Sequence, residues 1–387
     1  MTSERTPFVL IFLLWGAGLG AAAQYAKVSV VFDQLPQLYP NAGALIGFAV
    51  SLVGFLGIIF GVVAGVLVAQ IRYRRALIYA LWLGAAVSAV QAFVPPFEWF
   101  LVSRAIEGLS HLAMVVAAPT LIAQLSAPKD RGFTLTLWGT FFGVAFAVLA
   151  WAGLPLVDAF GVPVLFAAHA VYMAVFACIL SLVLTKGIGG AQPDPVSFSA
   201  ILKRHAVIYK SASIAAPGLG WLFYTFCFVS VLTVLPPFIP EESRVWVMGT
   251  MPLASIVSSM TLGVYLLRHV TAVRVVIIGF SSSALCMGWL WINPGGPFAC
   301  VALAACLGLI QGASFTAVPQ LNDSASSQAQ ANGAMAQMGN LGNTIGTPIM
   351  VAALAWLGYA ALPIFVGIAL IAGLCVHLAL GQMRKTV

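Results

Sequence analysis

Long apolar runs fill this chain, and polar positions are confined to short breaks between them. Such runs recur over 8–32, 41–70, 75–95, 97–125, 132–155, 161–184, 211–235, 245–267, 273–292, 297–320, 329–356 and 359–381. A helix of about 20 apolar residues crosses the ~30 Å hydrocarbon core of a bilayer and satisfies its own backbone polar groups there. The pattern therefore predicts twelve transmembrane helices in an all-α integral membrane protein. The first run is too long for the apolar core of a signal peptide and has no clear cleavage site after it, so it reads as a span.

Composition adds weight to that reading. Charged residues make up 7% of 387 positions, against roughly a quarter in soluble domains, and the mean hydropathy is +1.04. The net charge of +7 would suggest an acidic partner in a soluble protein, but its placement points to topology. All Lys and Arg except Lys27, Arg104 and Arg244 fall at the two termini or in the even-numbered breaks. By the positive-inside rule both termini and the break after the sixth run are cytoplasmic, as in an inner-membrane protein, and no nucleic-acid partner is implied. The six cysteines (Cys178, Cys227, Cys286, Cys300, Cys306 and Cys375) all lie within apolar runs. None has C-x-x-C or Cys/His spacing, so they read as small buried residues rather than metal ligands. No phosphate-cradling loop is present, so ATP does not drive the chain directly and no cofactor is expected.

The one sizeable hydrophilic stretch, 185–210, divides the chain into an N-terminal six-run unit (1–184) and a C-terminal one (211–387). The units echo each other. The segment Gly65 to Arg75 after the second run is matched by Gly263 to Arg274 after the eighth. Arg104-x-x-x-Gly108 in the fourth run is matched by Gly308-x-x-x-Gly312 in the tenth. Ala-Trp-x-Gly closes both the fifth and the eleventh (Ala150 to Gly153, Ala355 to Gly358). Internal repeats of this kind build secondary transporters, with the substrate between repeats near the bilayer midplane.

Together these features resemble the major facilitator superfamily over essentially the whole chain. The stretch from Gly65 to Arg75 is similar to that family's Gly-x-Leu-x-Asp-Arg-x-Gly-Arg-Arg signature: Gly65, Leu67, Arg74 and Arg75 match, while Ala69, Gln70 and Arg72 stand where Asp, Arg and Gly are usual. The resemblance implies two pseudo-symmetric six-helix bundles, alternating access, a monomer, and a gating role for Gly65, Arg74 and Arg75. It also implies that Arg104, with Gly108, belongs to a motif often associated with proton coupling. In the fifth run Gly139-Thr-Phe-Phe-Gly143 lacks the proline of the family's drug antiporters.

Ionisable groups within a bilayer are costly and normally face a cavity or a partner. The fourth run carries Arg104, Glu107 and His111 at i, i+3 and i+7, one face of a helix. Glu107 falls about 15 Å deep counting from Phe97. Glu107 either takes and releases a proton or is held statically by Arg104. His111 is either a relay or a polar packing contact. In the first run Gln24, Tyr25 and Lys27 form a polar stripe whose lysine is either an anion hook in the cavity or snorkels to the headgroups. Gln337, Asn340 and Thr344, with Asn343 and Thr347, make a polar face on the eleventh run, either a hydrogen-bonding wall for substrate or packing glue between helices. Gln311 with Ser314, Trp138 and Tyr224 complete the candidate substrate set. His169 reads as a satisfied interior histidine.

With Lys27 and Arg104 set against Glu107 alone, the expected function is transport of a small organic anion, coupled to a proton. A multidrug or metabolite exporter of the same superfamily is the alternative. An intramembrane enzyme would need a nucleophile with its base, or paired His/Asp ligands, at matched depth, and no such set is seen.

Overall fold

The computed structural model describes residues 5–61, 64–184, 205–206 and 208–384. Most of the predicted connecting stretch, 185–204 and Val207, lies outside the described residues. Long helices follow one another along the chain: α1 (Phe8–Ser29), α2 (Gly43–Phe60), α3 (Tyr73–Gln91), α4 (Phe97–Leu125) and α5 (Phe141–Phe160, after a short helix Arg131–Gly139). They continue as α6 (Val162–Val183), α7 (Ala212–Val234), α8 (Glu241–Leu267), α9 (Ala272–Ile292), α10 (Pro297–Leu321), α11 (Ala325–Leu357) and α12 (Ala361–Met383).

Among the described residues, 10 stretches are long and apolar enough to cross a membrane, and the last, Ser327–Met383, takes in most of α11 and all of α12. The segment missing from the twelve expected is α3, whose first turn carries Arg74 and Arg75 and lowers its mean hydropathy. Among the described residues the regular structure is all helical, and the chain is a multi-pass membrane protein. Lipid tails are as apolar as the side chains, so its helices are held by close packing and interhelical hydrogen bonds rather than by removal from water.

Packing follows the small residues. α1, α3, α4 and α6 pack on one another, as do α7, α9, α10, α11 and α12. Three seams join these groups. α2 lies along α11, and a Cβ at Gly47, Gly54, Gly57 or Gly61 would strike Pro348, Thr344, Asn340 or Gln337 respectively. α5 lies along α8, where Gly143 meets Pro252 and Ile256, and Gly249 meets Trp151. The ends of α1 and α7 meet through the hydroxyls of Ser29 and Thr233, 2.7 Å apart.

One proposed echo, between the fourth and tenth runs, recurs as a repeated contact but in a different register. Gly108 abuts the carbonyl of Val53 on α2, and Gly308 abuts that of Ser255 on α8. Gly108 and Gly308 therefore correspond, and Pro119 and Pro319 fall in step. The partner of Arg104 in the second half is thus Ala304, not Gly308. Likewise Gly16 on α1 packs under Phe176 of α6, and Gly220 on α7 under His377 of α12.

The segment expected as a gating loop is mostly helical, running from Ala64 to Ile71 and containing Gly65. It turns into α3 at Arg72, whose φ of 74° is positive. Only glycine adopts that conformation freely, which explains why glycine is usual in the signature at this position. Arg74 caps the end of α6, its Nε donating to Leu184 O (2.7 Å) and its Nη2 to Ser181 O (2.8 Å), while Arg75 is exposed.

Candidate functional site

Four helices of the first half converge on a buried ion cluster. Lys27 comes from the last turns of α1, Ser88 and Gln91 from α3, Arg104 and Glu107 from α4, and His169 from α6. Lys27, Arg104 and Glu107 are each 0% exposed. Lys27 Nζ lies 2.7 Å from Glu107 Oε1, 2.6 Å from Ser88 Oγ and 3.2 Å from His169 Nδ1, with the Phe166 ring 5.5 Å away. The other carboxylate oxygen, Oε2, pairs with Arg104 Nη1 and accepts from Gln91 Nε2 at 3.0 Å.

Arg104 also ties three helices together. Its Nε donates to Ala49 O on α2 (2.6 Å) and its Nη2 to Gln24 O on α1 (2.5 Å). His169 Nε2 faces Gly20 O at 2.9 Å. A carbonyl can only accept, so this nitrogen carries the hydrogen and Nδ1 presents a lone pair. His111 is fixed in the same way, Nδ1 donating to Ala21 O at 3.0 Å. Unpaired buried charges are costly, and here each has several hydrogen-bond partners.

This arrangement changes several sequence expectations. Lys27 neither snorkels to the surface nor reaches into a space between the two groups of helices; it is turned into the first group and paired with Glu107. The helical wheel places Lys27 and Gln24 on one face, but it cannot show that α4 is what that face meets. Gln24 likewise serves the interior, Nε2 donating to Ser110 Oγ at 2.9 Å. His169 is satisfied, as expected, but as a member of the cluster. Ser88 and Gln91 were missed, although two polar residues at i and i+3 on an otherwise apolar helix are a signal.

Gln337 is engaged with neighbouring helices rather than left open on the polar face of α11. Its Nε2 donates to Ile58 O on α2 (2.9 Å) and meets His205 Nε2 (3.0 Å), and its Oε1 accepts from Tyr209 (2.7 Å). It therefore ties the chain just before α7 to the α2–α11 seam, at the end opposite the Ser29–Thr233 contact. Asn340 packs on Gly57 and donates to its own helix at Ala336 O, and Gln311 accepts from Ser255 at 3.3 Å.

Beside the cluster an aromatic belt crosses between the groups. Tyr25 meets His111 edge-on at 5.1 Å and Phe142 at 5.8 Å. Phe142 leads to Phe228 (6.4 Å), which stacks on Tyr224 (5.5 Å), which stacks on Trp221 (4.5 Å). Trp138 extends the belt by stacking on Phe141 at 4.4 Å. Where the belt meets α11, buried polar atoms lack partners: Tyr25 Oη, Asn343 Oδ1 and Thr347 Oγ1. Tyr25 Oη and Thr344 Oγ1 both border Gly54. Native structures leave few buried polar atoms unsatisfied, and a group of them points to water or a ligand.

A multi-pass helical protein with fully paired charges inside one group of helices, and unpaired hydrogen-bonding atoms where two groups meet, has the make-up of a membrane transporter. The chain belongs to the major facilitator superfamily, whose family model matches residues 8–347. It is also 29% identical over 154 residues to the niacin transporter NiaP of Acinetobacter baylyi, a match taking in 38% of this chain and 35% of that relative's length.

Proposed function

We propose that the protein is a secondary transporter that moves a small organic anion carrying an aromatic ring, together with a proton, by alternating access. In this reading α3 also crosses the membrane and Ser327–Met383 crosses twice, giving twelve spans in two six-helix bundles joined by 185–210. Both termini are cytoplasmic in an inner membrane, and the protein acts as a monomer. The bundles rock about the α2–α11 and α5–α8 seams. Opening one end parts Ser29 from Thr233, and opening the other parts Gln337 from Ile58.

The observation that carries the proposal is the aromatic belt with its unpartnered hydroxyl and amide atoms, set against a cluster holding two cations and one carboxylate. A flat ring can stack between Tyr25, Phe142 and Phe228, and Tyr25, Asn343 and Thr347 can supply polar contacts to its substituent. The net positive charge next to the belt favours an anion over a cation. The resemblance to a niacin transporter, itself a carrier of an aromatic monocarboxylate, supports the same substrate class.

The test is uptake of labelled nicotinate and related aromatic monocarboxylates by proteoliposomes, with the outside acidic or at equal pH. The proposal expects saturable uptake that rises with the pH gradient and is lost in Tyr25→Ala. The belt also favours a second reading, export of lipophilic aromatic compounds. Protection by lipophilic cations alone, with no carboxylate uptake, would support that reading and overturn the first.

A further inference from the structure

We infer that Lys27, and not Glu107, is the group that gives up and takes back the coupled proton; the inference rests on the proton-coupled reading above. Glu107 is surrounded by donors. Oε1 faces Lys27 Nζ at 2.7 Å and Ser88 Oγ at 3.4 Å, and Oε2 faces Arg104 Nη1 and, at 3.0 Å, Gln91 Nε2. A proton on Oε2 would point only at donors, and among the described contacts one on Oε1 could reach only the Ser88 hydroxyl, 3.4 Å away and already accepting from Lys27. It would also leave two buried cations with no anion. Glu107 is built to stay charged.

Lys27 stands in the opposite situation. Its ammonium has three hydrogens and faces three acceptors: Glu107 Oε1, Ser88 Oγ and the lone pair of His169 Nδ1. Removing one hydrogen leaves every other group with a partner. The Nζ–H bond breaks, its electron pair stays on nitrogen, and the proton passes to a water molecule admitted when the bundles part. The new lone pair accepts from the Ser88 hydroxyl, which in this structure also lies 2.7 Å from His169 Nδ1. The cluster then holds one cation and one anion, the balance least costly within a bilayer.

The other ionisable groups facing Lys27 are accounted for helix by helix. α4 contributes Arg104, which keeps its proton in proteins and whose donors reach Ala49 O, Gln24 O and Glu107. α4 also contributes His111, turned toward Ala21 O and the Tyr25 ring. α6 contributes His169, whose Nε2–H is committed to Gly20 O. α3 brings only Ser88 and Gln91, and α2 only the Ala49 and Val50 carbonyls to Arg104. Lys27 is thus the residue whose loss of a proton neutralises the cluster without stranding a partner.

The experiment uses the purified full-length protein in proteoliposomes, with nicotinate as probe and a pH dye in the lumen. One pH unit sustains at most about tenfold accumulation in one-to-one electroneutral symport. Lys27→Arg keeps the pair with Glu107 but cannot release the proton, and Lys27→Gln has none to release. Both are expected to lower the accumulation ratio from about tenfold to about one and to abolish substrate-driven lumenal acidification. Counterflow at equal pH remains measurable in both and shows that each variant folds and binds. Gradient-driven accumulation at the wild-type level in either variant overturns the inference while leaving proton coupling intact. Wild-type uptake without any proton movement overturns both the inference and the proton-coupled reading.

Discussion

The two halves of the chain share packing contacts but not chemistry. In register with Gly16 and Gly220, Lys27 on α1 corresponds to Val231 on α7; in register with Gly108 and Gly308, Arg104 and Glu107 on α4 correspond to Ala304 and Leu307 on α10. The same helical scaffold thus encloses an ion cluster in one half and apolar side chains in the other. The second half instead directs uncharged polar groups, Asn343, Thr344 and Thr347, toward the seam. The comparison teaches that the fold does not require the charges. Their presence in one half alone points to function, because well-packed apolar residues can replace a buried ion pair with little loss of stability.

The largest expected effect comes from making the halves alike in one place only. Glu107→Leu strands two buried cations and should cost about 3–5 kcal/mol, read as a large fall in thermal stability in detergent. Completing the exchange, as Lys27→Val with Arg104→Ala and Glu107→Leu, should recover most of that loss. If the triple variant is no more stable than the single one, the cluster is a structural requirement and the comparison fails.

A smaller effect is expected at the seam. A side chain at Gly57 runs into Asn340, so Gly57→Leu should destabilise by about 1–3 kcal/mol and stop uptake by holding α2 off α11. Normal uptake would mean that the seam opens wider than proposed. In the second half His377 is buried with neither ring nitrogen partnered, where the first half has Phe176. His377→Phe should therefore stabilise the protein by about 1–2 kcal/mol; destabilisation would show that the imidazole has a partner in the membrane. Least of all, Arg72→Gly should relieve the positive φ and add about 1 kcal/mol, checked by the shift in Tm. The corresponding turn into α9 has Thr271 at an ordinary φ of −66° and needs no such relief.

Much of this was legible in the sequence, for physical reasons. The predicted fourth span, 97–125, coincides with α4 because Pro95 and Pro96 precede it and Ser126 to Asp130 break the apolar run after it. Arg104 and Glu107 stood out because charges are so rare in the chain. What stayed hidden depends on the third dimension. Lys27 and Glu107 are 80 residues apart, and no local pattern says that the polar stripe of α1 faces α4 rather than the seam. His169 sits alone on an apolar helix and gave no sign of its neighbours. α2 reads as one long run, yet its glycines break it into short turns that let it follow α11. The latch at Gln337 joins residues more than a hundred positions apart and had no signal in spacing.

The central claim is a division of labour, with proton coupling in the first half and substrate contact at the aromatic seam. It is tested most directly by measuring uptake of a labelled aromatic monocarboxylate in proteoliposomes with and without a pH gradient, for the wild type and the triple variant lacking the ion cluster. The account predicts that the wild type accumulates the solute above equilibrium, whereas the variant still exchanges it across the membrane but does not concentrate it. Accumulation by the variant at the wild-type level would contradict the account.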